Sequence, residues 1–369
     1  MTFKNIVTEG NKLSFDIYDV DVSVVNALRR VMISELPSLA FSFDPNAKEN
    51  DIVIKKNTGS LHNEFLGHRI SLIPIHFSKD DMEAFRREQY KFVLKKHNTT
   101  TSMMNVTSED IIVYDETDKE YPKDVRDRLF PANHFTNNHI LITRLKPNLF
   151  NKENGDEIHI EAHASMGIGK MHSRWTPVSL CTYFNILDEK SVEKGLSDYI
   201  SKNKHSGLDE QELRTRFNTL EKYRHYKKNK YDEPNAFHFE IETECGMDCK
   251  YIVSKGFEVI MEKIKSFISN IGDKTTVDVK QSQGMTFITI QGEDDTLGNL
   301  VQAMLYNLYI REGDVRNIHY IGYYKPHPLE DNIVLKVKTD EDPIMLVQTG
   351  CRLIVEHIND LLQKWVSAS

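Results

Sequence analysis

Cys245 and Cys249 form a C-x-x-x-C pair, and His62, His68, His76, His159, His163 and His172 crowd the middle of the chain. These residue types bind transition metals or act as nucleophiles and bases. Their spacing argues against a site. The segment IHIEAHA around His159 and His163 alternates as a strand does, and residues four apart on one strand face stand ~13 Å apart, too far to share an ion. The cysteine pair lacks two further ligands at finger-like spacing, and Cys181 and Cys351 sit in other elements, so all four read as free thiols. GIGK (Gly167 to Lys170) lacks the flanking residues of a phosphate-binding loop, and no G-x-S-x-G, HExxH or dinucleotide fingerprint occurs. Asp294 and Asp295 stand where a helix needs a cap. The sequence therefore offers no catalytic, cofactor-binding or metal-ligating set, and a metal-dependent enzyme built on the histidines is the weakest reading.

What remains is a pair of cations, Arg29 and Arg30, on the helix of DVSVVNALRRVMISELPSLA (Asp21 to Ala40). Adjacent helical residues are ~100° apart, so both can point away from a core stripe. Arginine's planar fork favours carboxylate contacts at interfaces. The formal net charge of −8 argues against wrapping nucleic acid as the main task. A basic stretch, KYRHYKKNK (Lys222 to Lys230), is the feature a DNA-binding alternative would use. Few, scattered cysteines suit a reducing compartment, and with a polar N-terminus and no apolar run approaching ~18 residues, neither a signal peptide nor a membrane span is expected.

The elements that must carry these residues are written twice. Leu13, Phe15 and Ile17 alternate as a strand, Asp21 or Ser23 caps a helix, Val24, Val25, Leu28, Val31, Met32 and Leu36 form its apolar stripe, and Pro37 ends it. A constant offset brings Phe15 onto Ile288, Ile17 onto Ile290, Asp21 onto Asp294 and Asn26 onto Asn299, and Leu297, Leu300, Val301, Met304, Leu305 and Leu308 repeat the stripe. A second offset aligns Phe237, Phe239 and Ile241 with Ile333, Leu335 and Val337. Each strand leads into a long helix stepping by three and four: Val253, Phe257, Ile260, Ile264, Phe267 and Ile271, then Val347, Cys351, Ile354, Ile358, Leu361 and Trp365. Such seams pack along a partner helix. The residues predict two copies of one α/β unit packed as an internal pseudodimer. The first copy carries a long insertion from near Phe41. Its core candidates are Ile52 to Ile54, Phe65 to Phe77, Ile111 to Tyr114 and Ile140 to Ile142. Ile158 to Trp175 leads back out. Ser78 to Ser102 reads as a loop, and Ser201 to Glu233 as an exposed helix near Leu208 to Tyr226 plus loop.

NALRR followed by SELPSLA resembles the alpha-like subunits of multisubunit RNA polymerases. The first copy resembles the archaeal D subunit or the third-largest subunit of eukaryotic polymerase II. Glu64-Phe65, His68-Arg69 and Leu72-Ile73-Pro74, then Gly167 to Lys170 with His172 and Trp175-Thr176-Pro177, match that family's motifs. The second copy resembles the small partner, archaeal L, through Asp295 to Asn299, Gly322-Tyr323 and Pro326 to Leu329. A single chain carrying both resembles the fusion found in large cytoplasmic DNA viruses of the African swine fever type.

The resemblance implies an α+β fold: two alpha-like dimerisation domains, with antiparallel sheets and long packed helices, and an inserted second domain. It implies a D-like domain at 1–41 and 166–272, an inserted domain at 42–165 and an L-like domain at 273–369, joined near Ile271 to Thr276. It implies a non-catalytic subunit that nucleates assembly of the two large catalytic subunits, with no cofactor. Residues 41–172 lack the cysteine cluster many D-like subunits use for zinc or an iron–sulfur cluster. The implied partners are the largest and second-largest subunits and a small subunit beside the pseudodimer, with little nucleic-acid contact, no membrane and no homo-oligomer. Large-subunit contacts are expected at Asn26, Arg29, Arg30, Glu35, His68, Arg69 and Trp175. The internal seam is expected at Val253, Phe257, Ile260, Ile264, Phe267, Leu297, Val347, Ile354, Ile358, Leu361 and Trp365. The expected location is the viral particle and host cytoplasm, or otherwise the nucleus or cytoplasm with the polymerase. A free-standing DNA-binding or regulatory protein on the same scaffold is the alternative.

Overall fold

The computed structural model describes residues 2–150, 155–204, 208–311 and 318–369. Parts of the polar segment 201–233 and of the second copy's gap, Arg311 to Asn332, lie outside the described residues. In chain order the elements are β1 (Thr2–Glu9), β2 (Lys12–Tyr18), α1 (Val22–Ser34), β3 (Pro37–Ala40), β4 (Ile52–Asn57), α2 (Asn63–Ser71), α3 (Lys79–Glu83), β5 (Lys91–His97), β6 (Met104–Thr107), β7 (Ile111–Tyr114), α4 (Lys123–Leu129) and β8 (Leu141–Leu145). There follow β9 (Glu157–His163), β10 (Ser165–Ile168), β11 (Val178–Asn185), α5 (Glu189–Lys202), α6 (Glu210–Arg216), β12 (Ala236–Thr243), α7 (Cys249–Asn270), β13 (Val277–Ser282), β14 (Met285–Gln291), α8 (Asp295–Tyr306), β15 (Ile318–Tyr324), β16 (Asn332–Thr339) and α9 (Pro343–Ala368).

They form two compact units. The first comprises Met1–Met32, Leu180–Glu242 and Ile252–Ser369; the second comprises Ile33–Ser179 and Thr243–Tyr251. These limits differ from a three-way division at 41/42, 165/166 and 272/273. Both copies of the repeat lie in one unit, because their helices share a core. The inserted body begins earlier and ends later, because β3 pairs with β10 and the Thr243 hydroxyl donates to the Pro177 carbonyl.

In the first unit the duplication is visible as two four-stranded antiparallel sheets of the same order, β1-β2-β12-β11 and β13-β14-β16-β15. The registers correspond residue by residue. Phe15 faces Phe239 as Ile288 faces Leu335, and Ile17 faces Phe237 as Ile290 faces Ile333. Alternation puts these side chains on the inner face of each sheet, where all are buried. Asp21 caps α1, Asp294 caps α8 and Asp342 caps α9, whose first residue is Pro343.

The polar segment is more ordered than its composition suggests. α5 was not legible in the sequence. α6 continues through a wider turn, Phe217–Glu221, and a tighter one, Lys222–Arg224. Phe217 is buried against Tyr199 and His225, so the segment has a small core of its own.

The second unit is built on the antiparallel sheet β4-β9-β5-β7, with β6-β8 and β10-β3 as smaller pairs. The stretch expected as a loop, Ser78 to Ser102, instead holds α3 and β5, and β5 is paired on both sides. Its inward residues, Phe92 and Leu94, are too few to announce a strand among lysines. Phe41, Phe92 and Phe130 meet edge-on or stacked in the core. Val53 and Ile140, read as core, are exposed. Among the described residues no helix is long and apolar enough to cross a membrane.

Candidate functional site

The most developed polar geometry joins the two copies inside the first unit. Each capping aspartate spends one oxygen on its own helix and turns the other toward the opposite copy. Asp21 Oδ1 accepts from the Ser23 amide and hydroxyl, while Oδ2 accepts from Asn307 Nδ2 at 2.8 Å. Asp294 Oδ1 accepts from the Thr296 amide at 2.9 Å, while Oδ2 lies 3.8 Å from the Arg30 guanidinium. Arg30 Nε also donates to Thr296 Oγ1 at 2.8 Å. The start of α1 thus meets the end of α8, and the reverse, so the two helices run antiparallel. Lys263 on α7 adds an ion pair to Glu293 at 2.8 Å.

The side chains expected to form the internal seam lie in the same unit. Val253, Phe257, Ile260, Ile264, Phe267, Leu297, Val347, Ile354, Ile358, Leu361 and Trp365 are all buried. Trp365, from the last helix, sits 5.2 Å from Phe3 and 4.8 Å from Phe15, and Phe15 stacks on Phe239 at 5.0 Å. Ala27, Val31 and Ile260 meet Leu297 and Leu300 around one small void. Gly256 lets α7 approach α1 closely: a Cβ there would lie 2.9 Å from Leu28 and 3.1 Å from Met32.

A clasp from the polar segment completes the junction. The Asn229 side-chain carbonyl accepts from the Tyr231 and Glu233 amides and shapes a turn. That turn presents Glu233 to Arg311, which donates to both carboxylate oxygens at 2.5 and 2.6 Å. The guanidinium also lies over Tyr231 and Tyr306, 4.8 and 5.2 Å from their centres. The paired Arg311 holds the Glu233 carboxyl below its ordinary 4.5. A depressed acid contributes stability that is full above that ordinary value and is lost as pH falls through the depressed one. Reversing either charge, Glu233→Arg or Arg311→Glu, is expected to cost ~1 kcal/mol, because partly exposed pairs are worth little. The double reversal should recover part of that loss. Urea unfolding at pH 7 and pH 3 checks both points: the difference between wild type and Glu233→Gln should shrink at the lower pH.

Neither the clasp nor the Asp21–Asn307 bond was anticipated from the sequence. Polar partners far apart in the chain leave no periodic trace. The Asp21–Asp294 correspondence was the one available signal.

The residues expected to face large partners fall into different situations. Arg29 donates to Asn26 Oδ1 through Nε and a terminal nitrogen, at 3.2 and 3.0 Å, and stays half-buried. Arg30, expected to point outward, is committed to the second copy. In the second unit Arg69 donates to the Ile142 and Leu141 carbonyls and ties α2 to β8. His68 meets Phe43 edge-on at 5.4 Å. Trp175, expected on a surface, is buried. Its Nε1 donates to the Ser165 carbonyl, and Gly167 leaves the room its ring needs. Glu35 is half-buried. Beside His68 the structure exposes two apolar side chains read as core, Phe65 (66%) and Leu72 (59%).

The remaining candidates for chemistry are structural. Cys245 contacts the Pro177 carbonyl and Thr243, and burial raises its thiol pKa; burial pushes Cys351 up to about 12. Thiolates, the reactive form, are disfavoured at both. Among the described residues no cluster of His, Cys, Asp and Glu is placed to hold a metal. Within the basic stretch, Lys227 lies over Tyr18, Lys228 pairs with Asp232 and Arg224 with Glu221.

The chain is similar to known proteins. Residues 14–264 match the RNA polymerase Rpb3/Rpb11 dimerisation domain, and residues 286–364 match a second domain of that description. Relatives include DNA-directed RNA polymerase subunit Rpo3 of Thermococcus kodakarensis, 24% identical over 287 residues, covering 73% of this chain and 97% of the relative. Subunit 3B of DNA-directed RNA polymerases IV and V of Arabidopsis thaliana is 30% identical over 182 residues, 46% of this chain and 52% of the relative. A conjugation stage-specific protein of Tetrahymena thermophila is 29% identical over 197 residues, 50% of this chain and 58% of that protein. Against these two eukaryotic relatives, the chain spans about half their length.

Proposed function

This chain belongs to the RNA polymerase Rpb3/Rpb11 dimerisation-domain family, and from that premise we propose that it is a non-catalytic assembly subunit of a multisubunit DNA-directed RNA polymerase. The observation that carries the reading is the duplicated sheet-and-helix unit, each copy matching the dimerisation domain, with the two copies joined through one core. In this reading the chain is a D/L-type pair fused end to end. Fusion raises the effective concentration of one half for the other and fixes their ratio. The joined pair then nucleates the two large catalytic subunits, with a small subunit beside it. The viral reading, with the protein in the particle and host cytoplasm, rests on the likeness of such a fusion to those of large DNA viruses.

The proposed large-subunit contacts are Asn26 and Arg29 on the first unit and, separately, the α2 face of the second unit. That face carries Phe65, His68 and Leu72, with Arg69 holding the helix in place. Exposed aromatic and aliphatic side chains beside arginine and histidine suit a protein interface. Arg30 and Trp175 act within the chain in this scheme, and Glu35 lies between the two surfaces in sequence.

Affinity purification of the tagged chain from its native source, followed by mass spectrometry, tests the reading. Two large polymerase subunits should copurify in stoichiometric amount. Phe65→Glu combined with Leu72→Glu should abolish that recovery while circular dichroism stays unchanged. Recovery of DNA without large subunits would instead favour a free-standing regulator.

A further inference from the structure

The sheet β13-β14-β16-β15 has two unlike faces. Ile288, Ile290, Ile333, Leu335 and Val337 are buried on the face that α8 and α9 cover. The alternate residues form cross-strand rows on the other face. Lys280, Phe287, Lys336 and Gly322 make one row, and Asp278, Thr289, Val334 and Tyr324 the next, in which Val334 is buried beneath its neighbours; Lys338 pairs with Tyr320 beyond. The Lys336 ammonium lies 4.2 Å from the Tyr324 ring centre and 5.6 Å from that of Phe287. Tyr320 and Tyr324 are 46% and 40% exposed. The Tyr320 hydroxyl reaches over Gly322, where a Cβ would stand only 2.4 Å from it. The one acid in these rows, Asp278, is paired with Lys280 at 2.8 Å.

We propose that this open face binds single-stranded nucleic acid. Bases stack on Tyr324, Tyr320 and Phe287, and Lys336 and Lys338 meet the phosphates between them, while Lys280 is held by Asp278. Two physical points favour this occupant over a protein. Lysine is depleted from the cores of protein interfaces, whereas here it sits among the aromatics. A four-stranded antiparallel sheet with helices behind it and aromatics on neighbouring strands is the geometry on which unpaired bases lie flat. Duplex cannot use it, because its bases are already stacked. The proposal stands apart from the assembly role and does not depend on it.

Fluorescence anisotropy of the full chain with a labelled oligouridylate tests this directly. Wild type should bind, with log K falling against log salt at a slope of about −1.4, as two lysines on single strands require. Tyr324→Ala should weaken binding about tenfold, Tyr324→Phe should restore it, and a duplex of equal length should bind worse. Lys336→Glu should weaken binding and flatten the salt slope. Lys227→Glu, on the separate basic stretch, should change nothing. Each variant is checked by its melting curve. Absence of binding by folded wild type, or binding indifferent to both Tyr324→Ala and Lys336→Glu, overturns the proposal. So does a loss that follows Lys227 instead. A protein partner lost with Tyr324→Ala, in the absence of RNA binding, assigns the face to that protein and overturns it equally.

Discussion

Trp365→Ala is expected to cost ~3–5 kcal/mol of unfolding free energy, the range for removing a large buried aromatic side chain. Trp365 belongs to the second copy but touches the first: Phe3 and Phe15 surround its indole, and none of its surface is exposed. Truncation therefore opens a cavity where the two copies meet. The aromatic run behind it, from Phe15 through Phe239 to Tyr183, is too firmly held by sheet register to collapse into the space. Trp365→Phe keeps an aromatic against Phe15 and should cost a smaller part of this. Urea titrations followed by circular dichroism at 222 nm provide the comparison. A loss below about 1 kcal/mol for alanine would mean that the junction is plastic and that this cluster does not hold the copies together.

Arg30→Glu should cost ~2 kcal/mol, through two effects that can be separated. The Thr296 hydroxyl, on a residue that is itself buried, loses its guanidinium partner. A new carboxylate also arrives beside Asp294, whose own charge caps α8. Arg30→Met removes the first contact without adding the second charge and should cost about half as much. Arg29→Glu, one residue away, gives up only its bonds to Asn26 and meets no acid among its hydrogen-bond partners, so it should cost less, about 0.5–1 kcal/mol. If Arg29→Glu lowers stability as much as Arg30→Glu, the two arginines are equivalent and the division of roles between them fails.

That division shows where sequence reasoning stops. NALRR places the two arginines about 100° apart on one helix, and the sequence alone left both free to face outward. Which of them turns to α8 depends on where α8 lies, and helix packing sets that. The same holds for Trp175. Its motif is legible as a motif, but only the pairing of β3 with β10 shows that the ring is enclosed. Phe65 and Leu72 fail in the opposite direction. Within an apolar run they read as core, yet α2 is a short helix with one buried side; Phe65 falls on the other, and Leu72 follows as the exposed C-cap.

What the sequence determined by itself is the repeat. Period-two strands, aspartate caps and three-four helix steps are local signals, and two copies of the same local signals at constant offsets announce the duplicated strand-and-helix unit; the order and register of its strands came from the structure. What only the tertiary structure decided is how the copies recognise each other. The Asp21–Asn307, Arg30–Thr296 and Glu233–Arg311 contacts join residues hundreds or tens of positions apart. The physical reason is that a backbone preference is written in neighbouring residues, whereas a polar contact between packed elements depends on position in space, which no short stretch of chain encodes.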